Sequence, residues 1–145
     1  MDYKKLGDTI YARFNIGDEI ISGIMDICKK ENVLSATYSG IGCCSDIVVS
    51  SYIPEKDEFM EHKKSGVLEL SSLNGNISAD ENDNIFHHTH AMFTFHDADY
   101  SLLTTGGHLL SATVLYTVEI EIRPVQNGVI RRKTDELTGI TVWDL

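Results

Sequence analysis

A single helical period constrains the fold of this sequence more than any other feature. Between Gly17 and Asn32, apolar residues recur at positions i, i+1, i+4, i+7 and i+8, namely Ile20, Ile21, Ile24, Ile27 and Cys28. This spacing places them on one face of a helix, so the segment predicts an amphipathic helix that buries that face. Asp18 is expected to cap its N-terminus, and Lys29 and Lys30 lie where the helix dipole favours cations.

Extended segments occupy the rest of the chain. Thr9 to Phe14 alternates and is rich in β-forming residues, which predicts a strand before the helix. Further strands are expected near residues 33–39, 43–53, 58–63, 66–79, 85–96, 107–125 and 139–144, and Asn127-Gly128 is a local hairpin signal. One helix and about eight strands favour an α+β fold, in which a mainly antiparallel β-sheet curls into a sandwich or barrel and the helix covers one face or end.

Length and charge limit the classes of function. The 145 residues predict a single domain over residues 1–145. A net charge of −10 argues against a broad basic face that holds nucleic acid or an anionic membrane. No apolar run is long enough to span a bilayer, and the first residues lack the apolar core of a signal peptide, so a cytoplasmic location and no membrane partner are expected.

A cluster of histidines is the clearest candidate for a binding site. His87, His88, His90 and His96 all lie within one predicted strand. Residues two apart on a strand face the same side with Cα atoms about 6.5–7 Å apart, so His88 and His90 can reach one metal ion. His87 is one residue out of phase and is expected to face the other way.

His108 is a third candidate ligand. If the strand turns back through residues 97–101, an antiparallel register centred on Asp99 places His108 opposite His90. The face of His108 is expected to continue as an apolar face through Leu110, Ala112, Val114, Tyr116, Val118, Ile120 and Ile122, with Glu119 and Glu121 on the other face. Three imidazoles and an open position suit Zn²⁺ or another transition metal. The spacing alone leaves ordinary surface or core histidines as the alternative. His62 and His96 are interpreted as plain surface histidines or as neighbours of the metal ligands.

Several motifs, in one order along most of the chain, resemble the plants and prokaryotes conserved (PPC) domain family. They are Ile16–Ile20, Ser39–Gly42, Gly66–Ser78, His88–Ala91, Gly106–Leu109, Thr117–Ile120 and Thr138–Gly139. The resemblance implies a mainly antiparallel sheet with a helix, a homotrimer, and a metal, usually zinc, held by His88, His90 and His108. A related fold occurs in acetolactate decarboxylase, a zinc enzyme with clustered histidines.

Three functions follow as hypotheses. The first is a metal-binding homotrimer that binds a small-molecule ligand or a partner. The second, taken from plant relatives, is a DNA-associated regulator, although this sequence has no Arg-Gly-Arg-Pro hook and carries Val67 and Leu68 where those relatives have Arg and Phe. The third is a metal-dependent hydrolase or lyase, for which Glu69, His87 or His96 are the candidate acid–base groups.

Overall fold

The computed structural model describes residues 1–145 and contains one helix among eight strands, which confirms the α+β prediction. The elements are β1 (Asp2–Leu6), β2 (Thr9–Phe14), α1 (Ile20–Lys30), β3 (Ala36–Ile53), β4 (Glu58–Ala79), β5 (Ile85–His96), β6 (Leu102–Pro124), β7 (Arg131–Thr134) and β8 (Thr141–Asp144). No helix in the chain has the length and apolar content needed to cross a membrane.

All strands belong to one sheet with the order β1-β2-β6-β3-β4-β7-β8. Strand β5 lies off this path and pairs with both β4 and β6, so that β3, β4, β5 and β6 pair in a ring. The sheet is therefore strongly curled, although it is not a true barrel. Every pairing is antiparallel except the contact of β4 with β7, which is a parallel bridge between Ala79 and Arg131.

The apolar face of α1 packs into the curled sheet. All five apolar residues of its predicted face are buried, and they join a core of 26 residues with the inward side chains of the strands. Phe14 of β2, Phe93 of β5 and Leu109 of β6 are among the fully buried members. Burial of this face stabilises the helix, because an isolated helix of 11 residues would be marginal in water.

The helix cap differs from the prediction. Helix α1 begins at Ile20, so its cap is Glu19, whose carboxylate accepts hydrogen bonds from the backbone N–H groups of Ile21 (3.1 Å) and Ser22 (2.6 Å). The carboxylate of Asp18, the predicted cap, instead binds the amino group of Met1 at 2.7 Å and accepts a hydrogen bond from the Asn15 backbone. The prediction was wrong by one residue because sequence spacing does not locate the partners of neighbouring carboxylates.

Four predicted strands and one predicted hairpin also need correction. The strands predicted at 33–39 and 43–53 form one strand, β3, which begins at Ala36 and has irregularities at Gly40/Gly42 and Cys44/Asp46, and those predicted at 58–63 and 66–79 likewise merge in β4. Strands β1 and β7 were not predicted. The hairpin signal at residues 127–128 was wrong, since Ile130 bonds to Ala79 and Ser35 and β7 pairs with β8 rather than with β6.

Glu19 also ties α1 to the sheet, because its Oε1 atom accepts a hydrogen bond of 3.1 Å from the backbone N–H of the buried residue Ala112. Replacement by alanine removes the cap and leaves that N–H unpaired. We expect Glu19→Ala to lower the free energy of unfolding by about 2–3 kcal/mol in urea denaturation. Asp26→Ala, at an exposed acidic residue of the same helix, is the matched control and should change it by less than about 0.5 kcal/mol; equal losses for the two variants would contradict the assigned role of Glu19.

Candidate metal centre

The alternation of β5 separates its histidines between two faces. His88 and His90 are exposed on the outer face, whereas Thr89 is buried and His87 is half-buried on the inner face. On β4, Asn76 lies opposite His88 and Asn74 lies opposite His90. The prediction that His87 faces away from the pair is therefore confirmed.

The turn between β5 and β6 brings His108 to the pair. The Oδ1 atom of Asp97 accepts hydrogen bonds from the backbone N–H groups of Asp99 and Ser101, each of 2.9 Å, and so closes the turn. The resulting register pairs His96 with Leu102 and His90 with His108. The predicted register, centred on Asp99, is confirmed.

Two glycines allow the backbone to pack tightly just before His108. A Cβ atom on Gly106 would overlap the carbonyl oxygen of Ala91. At Gly107, φ is +148° and a Cβ atom would lie 2.5 Å from the carbonyl oxygen of Ser50. Strand β6 can approach β5 and β3 at this point only because both positions lack a side chain.

The three imidazole rings converge. Their centroids are separated by 4.1 Å (His90 to His108), 5.1 Å (His88 to His108) and 5.2 Å (His88 to His90). One ring nitrogen from each lies within 4.8 Å of the other two. A tetrahedral ion with metal–nitrogen bonds of about 2.0–2.1 Å needs its nitrogens about 3.3 Å apart, so small side-chain rotations would complete the geometry. The donor set fits Zn²⁺ or another transition metal better than Ca²⁺ or Mg²⁺, which prefer oxygen.

The surroundings of His88 and His108 lower the pKa of each ring. Partial burial is the main cause that lowers the pKa of His88, and nearby cationic groups, His90 first among them, lower it further. Burial likewise lowers the pKa of His108, with added contributions from His90 and His88. Neutral imidazole is the form that binds a metal ion, so these shifts favour coordination by His88 and His108.

Aromatic residues border the cluster. The ring of Phe59 meets His108 edge-on at 5.3 Å between centroids, and Tyr52 packs on Phe59 at 5.5 Å. The indole Nε1 of Trp143 donates a hydrogen bond of 3.2 Å to Asn76, the cross-strand neighbour of His88. The sequence analysis did not predict these aromatic residues beside the cluster. The alternation within each strand indicates which aromatic side chains face outward, but it does not indicate the strand pairings that bring them to the histidines.

The predicted apolar face exists, since Ala112, Val114, Val118, Ile120 and Ile122 are buried, but its continuation from His108 was wrong, and Leu110 and Tyr116 are exposed. The pairing of β6 with β3 shifts by one residue between Val48 and Val49, so the inward positions change from Leu109 to Ala112. His108 therefore lies on the outer face, and Leu110 is 43 % exposed. An irregularity of this kind reverses the facing of every later residue, which a fixed alternation cannot anticipate.

The other candidate residues lie elsewhere. His62 is exposed and lies 3.1 Å from the hydroxyl of Ser51, and the exposed His96 pairs with Leu102 at the far end of β5. Glu119 and Glu121 line a separate surface cavity formed with β1 and β2. None of these residues belongs to the cluster of three histidines.

Comparison with known proteins gives one family match. A family model described as the Plants and Prokaryotes Conserved (PCC) domain matches residues 1–126. A search of curated proteins gave no match.

Solved structures resemble the chain over nearly its full length. A "putative DNA binding protein" from Bacteroides thetaiotaomicron has 28% identity and a TM-score of 0.85, covering 99% of this chain and 96% of its own. A metal-containing protein from Archaeoglobus fulgidus has 27% identity and a TM-score of 0.82, covering 100% and 99%. A plant- and prokaryote-conserved protein from Pyrococcus horikoshii has 28% identity and a TM-score of 0.80, covering 99% and 95%.

The glycine before His108 provides a test of this local geometry. We expect Gly107→Ala to destabilise the fold by about 2 kcal/mol and to lower Tm by roughly 4–8 °C in a calorimetric scan, because the new methyl group meets the backbone of Ser50 in a strained conformation. At Gly128 a Cβ atom would meet nothing within 4 Å, so Gly128→Ala is the control and should leave Tm almost unchanged. A Gly107→Ala protein as stable as the original would show that the close approach is not required.

Proposed function

Because the chain belongs to the Plants and Prokaryotes Conserved domain family, we propose that it is a metal-binding member in which His88, His90 and His108 hold one transition-metal ion, preferably zinc, that takes part in binding a small ligand or partner. The observation that carries this proposal is the convergence of three ring nitrogens within 4.8 Å of one another. The similar protein from Archaeoglobus fulgidus, which is described as metal-containing, supports it.

The three imidazoles would supply neutral nitrogen ligands and leave one coordination position for a ligand atom. A zinc ion bound in this way supplies Lewis acidity to that atom. The ring of Phe59 and the tilted ring of Tyr52 beside it give one border of the position an apolar surface. Asn76, fixed by Trp143, places a polar group at the other border, so a ligand with both apolar and polar parts suits the arrangement.

The candidate acid–base residues favour binding over hydrolysis or lyase chemistry. Glu69 pairs with Cys43 and Thr94 and lines a different cavity, His87 faces the inner side of β5, and His96 is six residues along the strand from His90, or about 20 Å. A general acid or base must lie within hydrogen-bond reach of the reacting group. The proposal therefore assigns this chain a binding function and no reaction.

DNA binding is the second candidate, and the description of the Bacteroides relative is what favours it. The net charge of −10 opposes it, and the short basic clusters are already neutralised in part. Lys63 lies 3.9 Å from Glu61, Arg131 pairs with Asp83 at 2.7 Å, and Lys133 pairs with Asp144 at 2.7 Å. Of the basic clusters Lys63-Lys64 and Arg131–Lys133, only Lys64 and Arg132 have no ion pair and remain to contact phosphates, which supply most non-specific affinity for DNA.

We also propose that the chain forms a homotrimer. Large apolar side chains are exposed on the outer face of the sheet, including Tyr11 (48 %), Ile41 (61 %) and Tyr116 (62 %). Ile41 lies between the other two, since it lines one cavity with Tyr11 and the adjacent one with Tyr116. A contiguous apolar surface of this kind is typical of an interface between subunits, and a closed ring would bury it on every copy.

Metal content tests the three histidines. Protein purified without chelators should contain about one zinc equivalent per chain by elemental analysis, and His88→Ala, His90→Ala and His108→Ala should each lower the zinc affinity by about 10-fold or more, because each removes one of the ligands. His62→Ala and His96→Ala remove exposed histidines outside the cluster and should leave the affinity unchanged. Zinc bound equally well by all five variants would refute the proposed centre.

Light scattering tests the assembly. The mass should be about three times that of the 16.2 kDa chain, and Ile41→Asp should shift it to the single chain by placing a charge in the interface. Val129→Asp, at a residue that is 38 % exposed and belongs to neither cavity, serves as the control and should leave the mass unchanged. A mass of one chain for the unaltered protein would contradict the trimer.

A further inference from the structure

We infer that the chain has a second binding site, a cationic cavity that takes a small organic anion and is bordered by α1, the start of β5 and the hairpin of β7 and β8. Its volume is about 560 Å³. It is lined by His87 but by none of the three clustered histidines, so its lining is distinct from the candidate metal centre, although Arg132 is near enough to His88 for its charge to lower the pKa of that ring. The inference does not rest on the proposed metal.

An unpartnered cationic side chain marks this cavity. The Nε atom of Arg132 is buried and has no hydrogen-bond partner, and its Nη2 atom donates only to the carbonyl oxygen of Thr141, at 3.1 Å. A buried donor on a guanidinium group is costly to leave unpaired. The Nη1 atom of the same guanidinium is not buried and makes no hydrogen bond within the chain, so a carboxylate or phosphate group in the cavity would accept charge-assisted hydrogen bonds from it.

His87 offers a second polar contact. Its Nδ1 atom lies 2.9 Å from the hydroxyl of Thr89, and that hydroxyl is itself 2.5 Å from the hydroxyl of the buried Tyr38. These contacts fix the orientation of the ring from inside the core. The Nε2 atom of His87 has no protein partner and is left for a ligand in the cavity that the ring lines.

The charge of the lining is positive on balance. Arg132 and Lys133 both border the cavity, and Lys133 is neutralised in part by Asp144 at 2.7 Å. Asp80 is the one acidic residue of the lining, and its carboxylate already accepts hydrogen bonds from the Asn82 backbone and from both the backbone and side chain of Asn84. Its charge is therefore dispersed within its own turn, and the free donors of Arg132 dominate.

Apolar residues set the class of anion. Met25 of α1 and both Ile85 and Phe86 of β5 line the same cavity as Arg132. Cavities of about 300–1,000 Å³ that combine apolar walls with a few polar groups are typical of small-molecule sites. The ligand class is thus an organic carboxylate or phosphate ester with a compact apolar part, rather than inorganic phosphate alone.

The cavity also depends on a part of the chain that the family model does not match. That match ends at residue 126, whereas the cationic groups belong to β7. The C-terminal hairpin therefore supplies the cationic groups from outside the matched residues, and α1 and β5 supply the rest of the lining.

Calorimetric titration of the whole protein with benzoate, and separately with phenyl phosphate, tests this inference. We expect saturable binding of at least one of them, and no binding of the uncharged isostere benzamide. Arg132→Gln should weaken binding about 10-fold or more, as expected for loss of a hydrogen-bonded charge. Arg123→Gln is the matched control, since Arg123 is exposed, pairs with Glu121 at 2.8 Å, and lies outside the cavity, so it should bind as the original does.

Two further measurements keep the outcome decisive. Arg132→Lys keeps the charge but loses the planar fork, so it should bind with intermediate affinity even if Arg132→Gln folds poorly. Trp143, the single tryptophan, lies opposite Arg132 in the hairpin, and its emission should change on titration of the metal-free protein with phenyl phosphate, where no ligand can bind through a metal ion at the three histidines. Absence of saturable binding at millimolar concentrations, equal affinity for benzamide, or loss of binding after removal of metal by a chelator would each overturn the inference. Failure to bind zinc with benzoate binding retained would refute the metal proposal alone.

Discussion

The register of the hairpin between β5 and β6 is the constraint on which the candidate metal centre depends. The side chain of Asp97 closes the turn, and the pairing that follows places His108 directly opposite His90. A slip of one residue would send His108 to the inner face and replace the cluster by a pair. The outer strands, the helix and the core hold β5 and β6 in place, but this turn determines which residues meet.

Local patterns were sufficient for part of the structure. The helical period identified the buried face of α1, because a helix repeats its facing over a distance that a short window of sequence covers. The two-residue period of a strand likewise predicted that His87 faces away from His88 and His90. The antiparallel register centred on Asp99 predicted that His108 lies opposite His90. These inferences required only regular geometry and one tight turn.

Long-range pairing accounts for what the patterns missed. The register shift between Val48 and Val49 changes which face of the sheet each residue of β6 occupies after Leu109. Because this shift arises from the pairing of β6 with β3, the alternation of residues along β6 does not predict it. The border formed by Phe59 requires the pairings of β3 with both β4 and β6, and the cavity at Arg132 requires a hairpin that crosses to β4. Each depends on the order of strands in the curled sheet, which a single sequence does not specify.

The attachment of the C-terminal hairpin has a consequence for motion. Strand β7 meets the sheet through a single residue pair, Ala79 with Arg131, supported by the hydrogen bonds of Ile130 to Ala79 and Ser35. Elements held by so few backbone bonds detach in local fluctuations that leave the remaining fold intact. Amide protons of the hairpin should accordingly exchange with solvent far sooner than those of β3 or β6, without global unfolding.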